Sequence, residues 1–437
     1  MSDRNAPPSA NIAEIAENLF RHEAGKLVAT LTRIFGLDRL RLAEDVVQEA
    51  LIRALQTWPY HGIPHNPSAW ITQTAKNLAL DVIRREAVFR TKEAEIAAGL
   101  ERMAADAASS ARDVSEHDIK DDRLRMMFVC CHPAIAEESQ VALALKTLCG
   151  FSAAEIARAF LTNEATIAKR LTRAKQRIRE ARLEFEIPAG GELAARLDAV
   201  LRTLYLLFNE GYKASFGDSL VRAELCHEAI HLATLLVEHP AGDQPRAHAL
   251  LALMLLNAAR LPTRADADGT LLRLEEQDRT QWDQALIARG MMHLARSAAG
   301  DELSDFHLQA AIAAYHCAAP AYEATDWPRI LSLYDRLVEM DGSPVVALNR
   351  AVAVANVHGP RAGIDAVTGM RNRGELESYY LLFAVLGELE ARLDRFDLAA
   401  EHFERALALT ATRSEQAFLF RRLRECEEHT PAAVRSI

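Results

Sequence analysis

The chain has 437 residues, half of them hydrophobic and 26% charged. That length exceeds one compact domain and supports about two to four, and the apolar content excludes a mostly disordered protein. Its longest apolar stretch, residues 247–259, is interrupted by His248 and Asn257 and falls short of the roughly 18 residues a membrane span needs. The first eleven residues are polar and lack a secretory pattern, so a cytoplasmic protein with no membrane partner is expected.

The six cysteines, at 130, 131, 149, 226, 317 and 426, include no CxxC pair and read as reduced, mostly buried thiols. Cys130, Cys131 and His132 lack a second ligand pair at finger-like spacing, so no metal and no cofactor is expected. The net charge of −10 is unevenly spread. Residues 1–187 hold 26 basic and 26 acidic residues, so the whole deficit belongs to the back half. Within the front half, residues 86–122 carry 5 basic and 10 acidic residues, whereas Thr166–Arg182 carries 7 and 1. A basic stripe on so short a segment is the footprint of a phosphate-contacting element.

Helical periodicity runs throughout, without sustained alternation or hairpin turns, and predicts an all-α chain. Composition and Pro/Gly punctuation divide it into 12–89, an acidic linker 90–122, a helical module 123–187, and two further helical segments, 188–300 and 301–437.

In the first segment Val47, Ala50, Leu51, Ala54, Leu55 and Trp58 form one helical stripe, expected to face the core. Asp45, Gln48 and Glu49 lie away from it around Ile52, a polar rim with an apolar centre that suits a partner protein as well as solvent. A Pro-rich loop with Tyr60, His61 and His65 follows, and Asn66-Pro67-Ser68 starts the next helix, with Ile71, Ala75, Leu78 and Val82 as its buried stripe. Gln73, Lys76, Asn77 and Arg84 project opposite, mixing phosphate-seeking cations with amides that read base edges. Trp58 and Trp70 flank the loop, as stacking rings or as an aromatic core corner.

Further on, Ser152-Ala-Ala-Glu155 has the capping-box form and opens a short helix, and a turn at 161–164 follows. The next helix has an apolar stripe of Ile167, Leu171, Ala174 and Ile178, with Thr166, Arg170, Arg173 and Arg177 on another face and Lys169 beside them. Two helices, a tight turn and a basic second member match a helix-turn-helix whose second helix enters the major groove.

In this order the front half resembles an extracytoplasmic-function sigma factor of the sigma-70 family. The segment Leu42-Ala-Glu-Asp45-Val-Val-Gln48-Glu49-Ala-Leu51 resembles the region 2 helix that grips the clamp helices of RNA polymerase. Asn66-Pro-Ser-Ala-Trp70-Ile71 through Asp81-Val-Ile-Arg84-Arg85 resembles its promoter-melting continuation, and Ala154-Glu155-Ile156-Ala157 through Arg173-Ala174-Lys175 resembles region 4. The resemblance implies core RNA polymerase and promoter DNA as partners. It assigns Asp45, Gln48, Glu49 and Ile52 to polymerase and Trp58, Trp70, Gln73, Lys76, Asn77, Arg84 and Arg85 to the minus-10 strand. Thr166, Lys169, Arg170, Arg173 and Arg177 fall to the minus-35 duplex. Such a subunit is no enzyme, since the polymerase does the chemistry.

The back half resembles the subgroup with a long C-terminal extension of tetratricopeptide-like repeats, through Leu204-Tyr-Leu-Leu-Phe208-Asn209-Glu210-Gly211-Tyr212, Glu276-Gln-Asp278-Arg279 with Trp282, and Leu348-Asn-Arg350-Ala-Val-Ala353. Periodicity supports repeats independently. Trp327/Tyr334 and Phe396/Phe403 share a seven-residue spacing, followed on the same face by Leu337 or Ala406, and Leu386-Gly387 fits the first helix of a repeat, although Glu390 stands where an aromatic is usual. With its acidic charge the extension is expected to contact the sigma modules, the polymerase or a regulatory protein. Asn209, Glu210 and Tyr212 are expected in a turn.

Two rival readings remain at this stage. One is a stand-alone helix-turn-helix regulator fused to a ligand-sensing helical array. The other is a zinc hydrolase around His227-Glu228-Ala-Ile-His231, which has the H-E-x-x-H form but no third ligand at the usual spacing.

Overall fold

The computed structural model describes residues 23–85, 115–159, 162–188, 190–213, 222–410 and 412–429. It contains two compact units, Met1–Leu207 and Phe208–Ile437. Among the described residues the only β pairing is a lone bridge between Ala265 and Leu271; the regular elements are helices.

The first unit begins with α1 (23–35) and, after a 3-10 turn Leu37–Arg39, the long α2 (Leu40–His61). Leu40, Ala43, Val47, Ala50, Ala54 and Trp58 fall at helical spacing and are buried. Leu55, expected in that stripe, is half exposed, because burying Leu40 and Ala43 turns the buried stripe away from it. Gly62, at φ 81°, ends α2 in a backbone region that costs other residues strain. Then α3 (Pro67–Arg85) starts on Asn66, whose side chain accepts from the Ala69 amide at 3.0 Å.

The next described helix is α4 (Ser115–Cys130), followed by α5 (Glu137–Leu148), α6 (Ala153–Ala159), α7 (Glu164–Glu180) and α8 (Gly191–Tyr212). The expected linker 90–122 lies outside the described residues up to 114, but its last part is the start of α4, and there Asp122 is buried. Two arginines explain how a carboxylate can sit there: Arg33 donates to it at 2.9 Å and Arg125 at 3.0 Å. Burial still pushes its pKa above the ordinary carboxylate value, against the pull of both cations.

The cysteines expected to be buried are so, apart from the half-buried Cys317. Cys131 packs in the core with its Sγ 3.5 Å from the Thr203 hydroxyl, and burial pushes its thiol up to about 12. Arg196 of α8 donates to the Phe128 carbonyl at 2.9 Å and so caps the C-terminal turn of α4.

Asn209, Glu210 and Tyr212 lie in α8 rather than in a turn. The helix runs through Gly211 because close packing, not a bend, demands the glycine there: a Cβ would sit 2.7 Å from the Cys226 amide nitrogen.

The second unit continues with α9 (Ala223–Glu238), α10 (Pro245–Ala258), α11 (Gln284–Ser297) and α12 (Asp305–Ala318). After these come α13 (Trp327–Asp341), α14 (Pro344–His358), α15 (Pro360–Thr368), α16 (Tyr380–Ala391), α17 (Phe396–Leu409) and α18 (Arg413–His429). Each helix from α12 to α17 packs against the next, the pattern of stacked helix pairs. Both aromatic copies read from the sequence are core. Ile330, Leu337, Trp327 and Tyr334 share one cluster, while Phe403, Ala406 and Phe396 share another. Gly387 admits the Phe403 ring so closely that a Cβ would lie 2.7 Å from it. In place of an aromatic, Glu390 is held in the core by Arg395 at 3.2 Å.

Candidate nucleic-acid interface

The strongest built surface is the pair α6 and α7. Ser152 and Glu155 form the reciprocal cap expected of them, the Ser152 amide donating to Glu155 at 2.8 Å and the Glu155 amide to the Ser152 hydroxyl at 3.1 Å. Asn163 caps α7, accepting from the Thr166 amide at 2.8 Å and from its hydroxyl at 2.9 Å. Ile167, Leu171, Ala174 and Ile178 are all buried. The opposite side is cationic and outward: Lys169, Arg173 and Arg177 are exposed, with Thr166 and Arg170 half-buried beside them. Arg170 holds Glu138 at 2.5 Å and Arg177 holds Glu180 at 3.1 Å. The hydrogen bonds from Gln176 and Arg177 in turn lower the Glu180 pKa. Such pairs are exposed and weak, and phosphates can replace the carboxylates.

On α3, Gln73 and Asn77 are exposed and hydrogen-bonded to each other at 3.0 Å, and Lys76 lies between them, half-buried. Trp70 is half-buried at the start of the helix. Trp58 departs from the expectation of a base-stacking ring. It is 3% exposed and packs edge-to-face on Trp70 at 5.7 Å, because it falls in register with the core stripe of α2. It supports Trp70 and offers no face to a base. Tyr60, in contrast, is 85% exposed at the end of α2. The Arg84 and Arg85 side chains lie outside the described residues.

The acidic face of α2 is intact. Asp45, Gln48 and Glu49 are exposed, and Ile52 among them is 39% exposed. Leu55, missed in the sequence because its spacing suited the core stripe, extends the apolar centre of this face.

In the second unit, His227 is exposed, and no group of three His, Cys, Asp or Glu side chains able to hold a metal occurs among the described residues. No helix among them is long and apolar enough to cross a membrane.

Three family models match the chain: Sigma-70 region 2 over residues 19–88, Sigma-70 region 4 over 125–178, and a family of unknown function (DUF6596) over 196–298. The uncharacterized protein R00370 of Rhizobium meliloti (strain 1021) is 39% identical over 385 residues, which cover 87% of this chain and 89% of the relative. Modules for both promoter elements on one helical chain define a promoter-recognition subunit that works with core RNA polymerase on promoter DNA. The chain belongs to the sigma-70 family, as a sigma factor of the extracytoplasmic-function type with a C-terminal helical extension. Its role is transcription initiation, and the stand-alone regulator is not favoured, since such a protein has no use for region 2.

Proposed function

We propose that this sigma factor binds core polymerase through Asp45, Gln48 and Glu49 around Ile52. In this reading it holds the melted minus-10 strand with Trp70, Gln73, Lys76, Asn77, Arg84 and Arg85, and reads the minus-35 duplex with Thr166, Lys169, Arg170, Arg173 and Arg177. The observation that carries the first assignment is the split of α2 into a buried face and an exposed acidic face with apolar residues at its centre. Apolar residues inside a polar rim are the usual anatomy of a protein interface. The chain itself catalyses no reaction and acts in the cytoplasm, where the polymerase is. The extension holds all of the net charge of −10. It therefore repels DNA, and we assign it to a protein, either the polymerase or a regulatory partner, which its stacked helix pairs suit.

Reversing both charges, Asp45→Lys with Glu49→Lys, tests the reading. Glu49 loses an exposed pair with Arg53 at 3.0 Å and Asp45 one with Arg41 at 3.9 Å, each worth about 0.3–0.5 kcal/mol, so the fold survives. Like charges brought together at an interface cost several kcal/mol. Co-elution with core polymerase is expected to disappear, and its persistence at wild-type strength would refute the assignment. Cross-linking of the assembled holoenzyme tests the extension, with links expected from residues 188–437 to a protein partner.

A further inference from the structure

We propose that Lys213 is a modification site, an amine placed to take an acyl group from a small acyl phosphate, and that its acylation loosens the second unit where its start meets its end. The inference goes beyond the sigma reading and does not depend on it. It begins with a count. Residues 188–437 contain 24 arginines and one lysine, Lys213, whereas residues 1–187 contain 19 arginines and 7 lysines. A guanidinium stays protonated at every accessible pH, while an amine can give up its charge and act as a nucleophile. Lys213 is therefore the one lysine of this segment whose charge an acyl group can remove.

The structure shows what that charge holds. Lys213 directly follows α8, and its Nζ lies 5.3 Å from the ring centre of Tyr379 and 4.8 Å from that of Tyr380, at the start of α16. It is also 3.7 Å from a Glu415 oxygen in the first turn of α18. Glu415 is 4% exposed and accepts from the hydroxyls of Tyr380, of Thr410 at 2.6 Å and of Thr412 at 2.7 Å. Among the described residues Lys213 is its ion-pair partner. Losing the ammonium removes two cation–π contacts and leaves a buried carboxylate with hydroxyl donors but no cation.

The same surroundings make the amine reactive. Its side chain is 36% exposed, so a small reagent reaches Nζ. Desolvation against the packed rings lowers its pKa below the ordinary lysine value, with Glu415 opposing the fall and Arg264 adding to it. More of it is free amine at neutral pH than of a solvated lysine. Arg264, seated 3.7 Å from the centre of the Tyr212 ring, adds a positive charge that favours an anionic donor. The Nζ lone pair attacks the acyl carbon, an N–C bond forms as the C–O bond to phosphate breaks, and hydrogen phosphate leaves with the amine's proton.

Acetyl phosphate and peptide mass spectrometry test this on the full chain, with Lys169, exposed on α7, as the internal reference. In the native protein at about pH 7.5, Lys213 is expected to acetylate at least about threefold faster than Lys169, an advantage that shrinks by about pH 10.5 and vanishes in the urea-unfolded chain. A native ratio of one or less, or a ratio unchanged by unfolding, would overturn the site. Hydrogen exchange reads the consequence on peptides from the starts of α16 and α18. Acetylated wild type is expected to exchange there at least about fivefold faster than untreated wild type. Lys213→Arg, whose other seven lysines still react, is expected to show no change on treatment. Lys213→Gln, neutral like an acylated lysine, is expected to match the acetylated wild type without reagent. Wild-type exchange in Lys213→Gln, or equal acceleration in treated Lys213→Arg, would overturn the loosening.

Discussion

Replacing Arg173 by alanine separates electrostatic DNA contact from every structural role on α7. The side chain is exposed, and the buried stripe of Ile167, Leu171, Ala174 and Ile178 is untouched. Alanine is also the best helix former, so stability should change by less than about 0.5 kcal/mol. Each phosphate neutralised by a cation contributes about −0.9 to the slope of log affinity against log salt. Lys169, Arg170, Arg173 and Arg177 together then supply a slope of about −3.6 to holoenzyme binding, and the variant supplies about −2.7. Between about 50 and 200 mM salt, the ratio of wild-type to variant affinity should shrink by about 3.5-fold. Anisotropy of a labelled promoter fragment, titrated with holoenzyme across that range, measures both slopes. Arg361→Ala, an exposed site on α15, serves as the control and should leave the slope unchanged. An Arg173→Ala slope equal to the wild-type slope would refute the placement of this face on DNA.

Two predictions concern the extension. Phe403 is fully buried against Gly387, so Phe403→Ala should cost about 3–5 kcal/mol, read as an earlier unfolding transition in urea; a loss under about 1 kcal/mol would contradict the packing. His293 is buried with its Nδ1 2.9 Å from that of His248, and burial followed by the charge of His248 lowers its pKa from 6.5 to about 4. The unfolded chain therefore binds the proton first, and the stability from the neutral ring is complete above pH 6.5 and lost as pH falls toward 4. Melting temperatures at pH 7.5 and 4.5 should converge in His293→Gln relative to the wild type, and an unaltered difference would count against a buried neutral His293.

Much of this was legible from local spacing. The α7 stripe, the Ser152–Glu155 cap and the paired aromatics of α13 and α17 follow from periods of three, four and seven residues, and the structure shows each. The Asn163 cap was also readable, three residues before Thr166, but was missed beside the stronger box. Trp58 had two readings, a core position by its register with Ala50 and Ala54 and a minus-10 contact by the resemblance, because an aromatic next to a cationic loop looks alike whether it faces a base or the core; its burial follows the register. The pairs Glu44–Lys175 and Arg33–Asp122 had no local sequence signal at all. Glu44 and Lys175 are 131 residues apart, and Asp122 sits in a segment whose composition suggested a solvated linker. Burial of a carboxylate there depends on an arginine 89 residues away, which no local pattern reveals.

The central claim is best tested by run-off transcription, with purified chain and purified core polymerase on a library of promoter fragments. The account predicts co-elution of the two and defined transcripts that appear only when both are present, each template carrying upstream and melted elements. Absence of any chain-dependent transcript, or tight duplex binding by the chain alone without association with core, would contradict it.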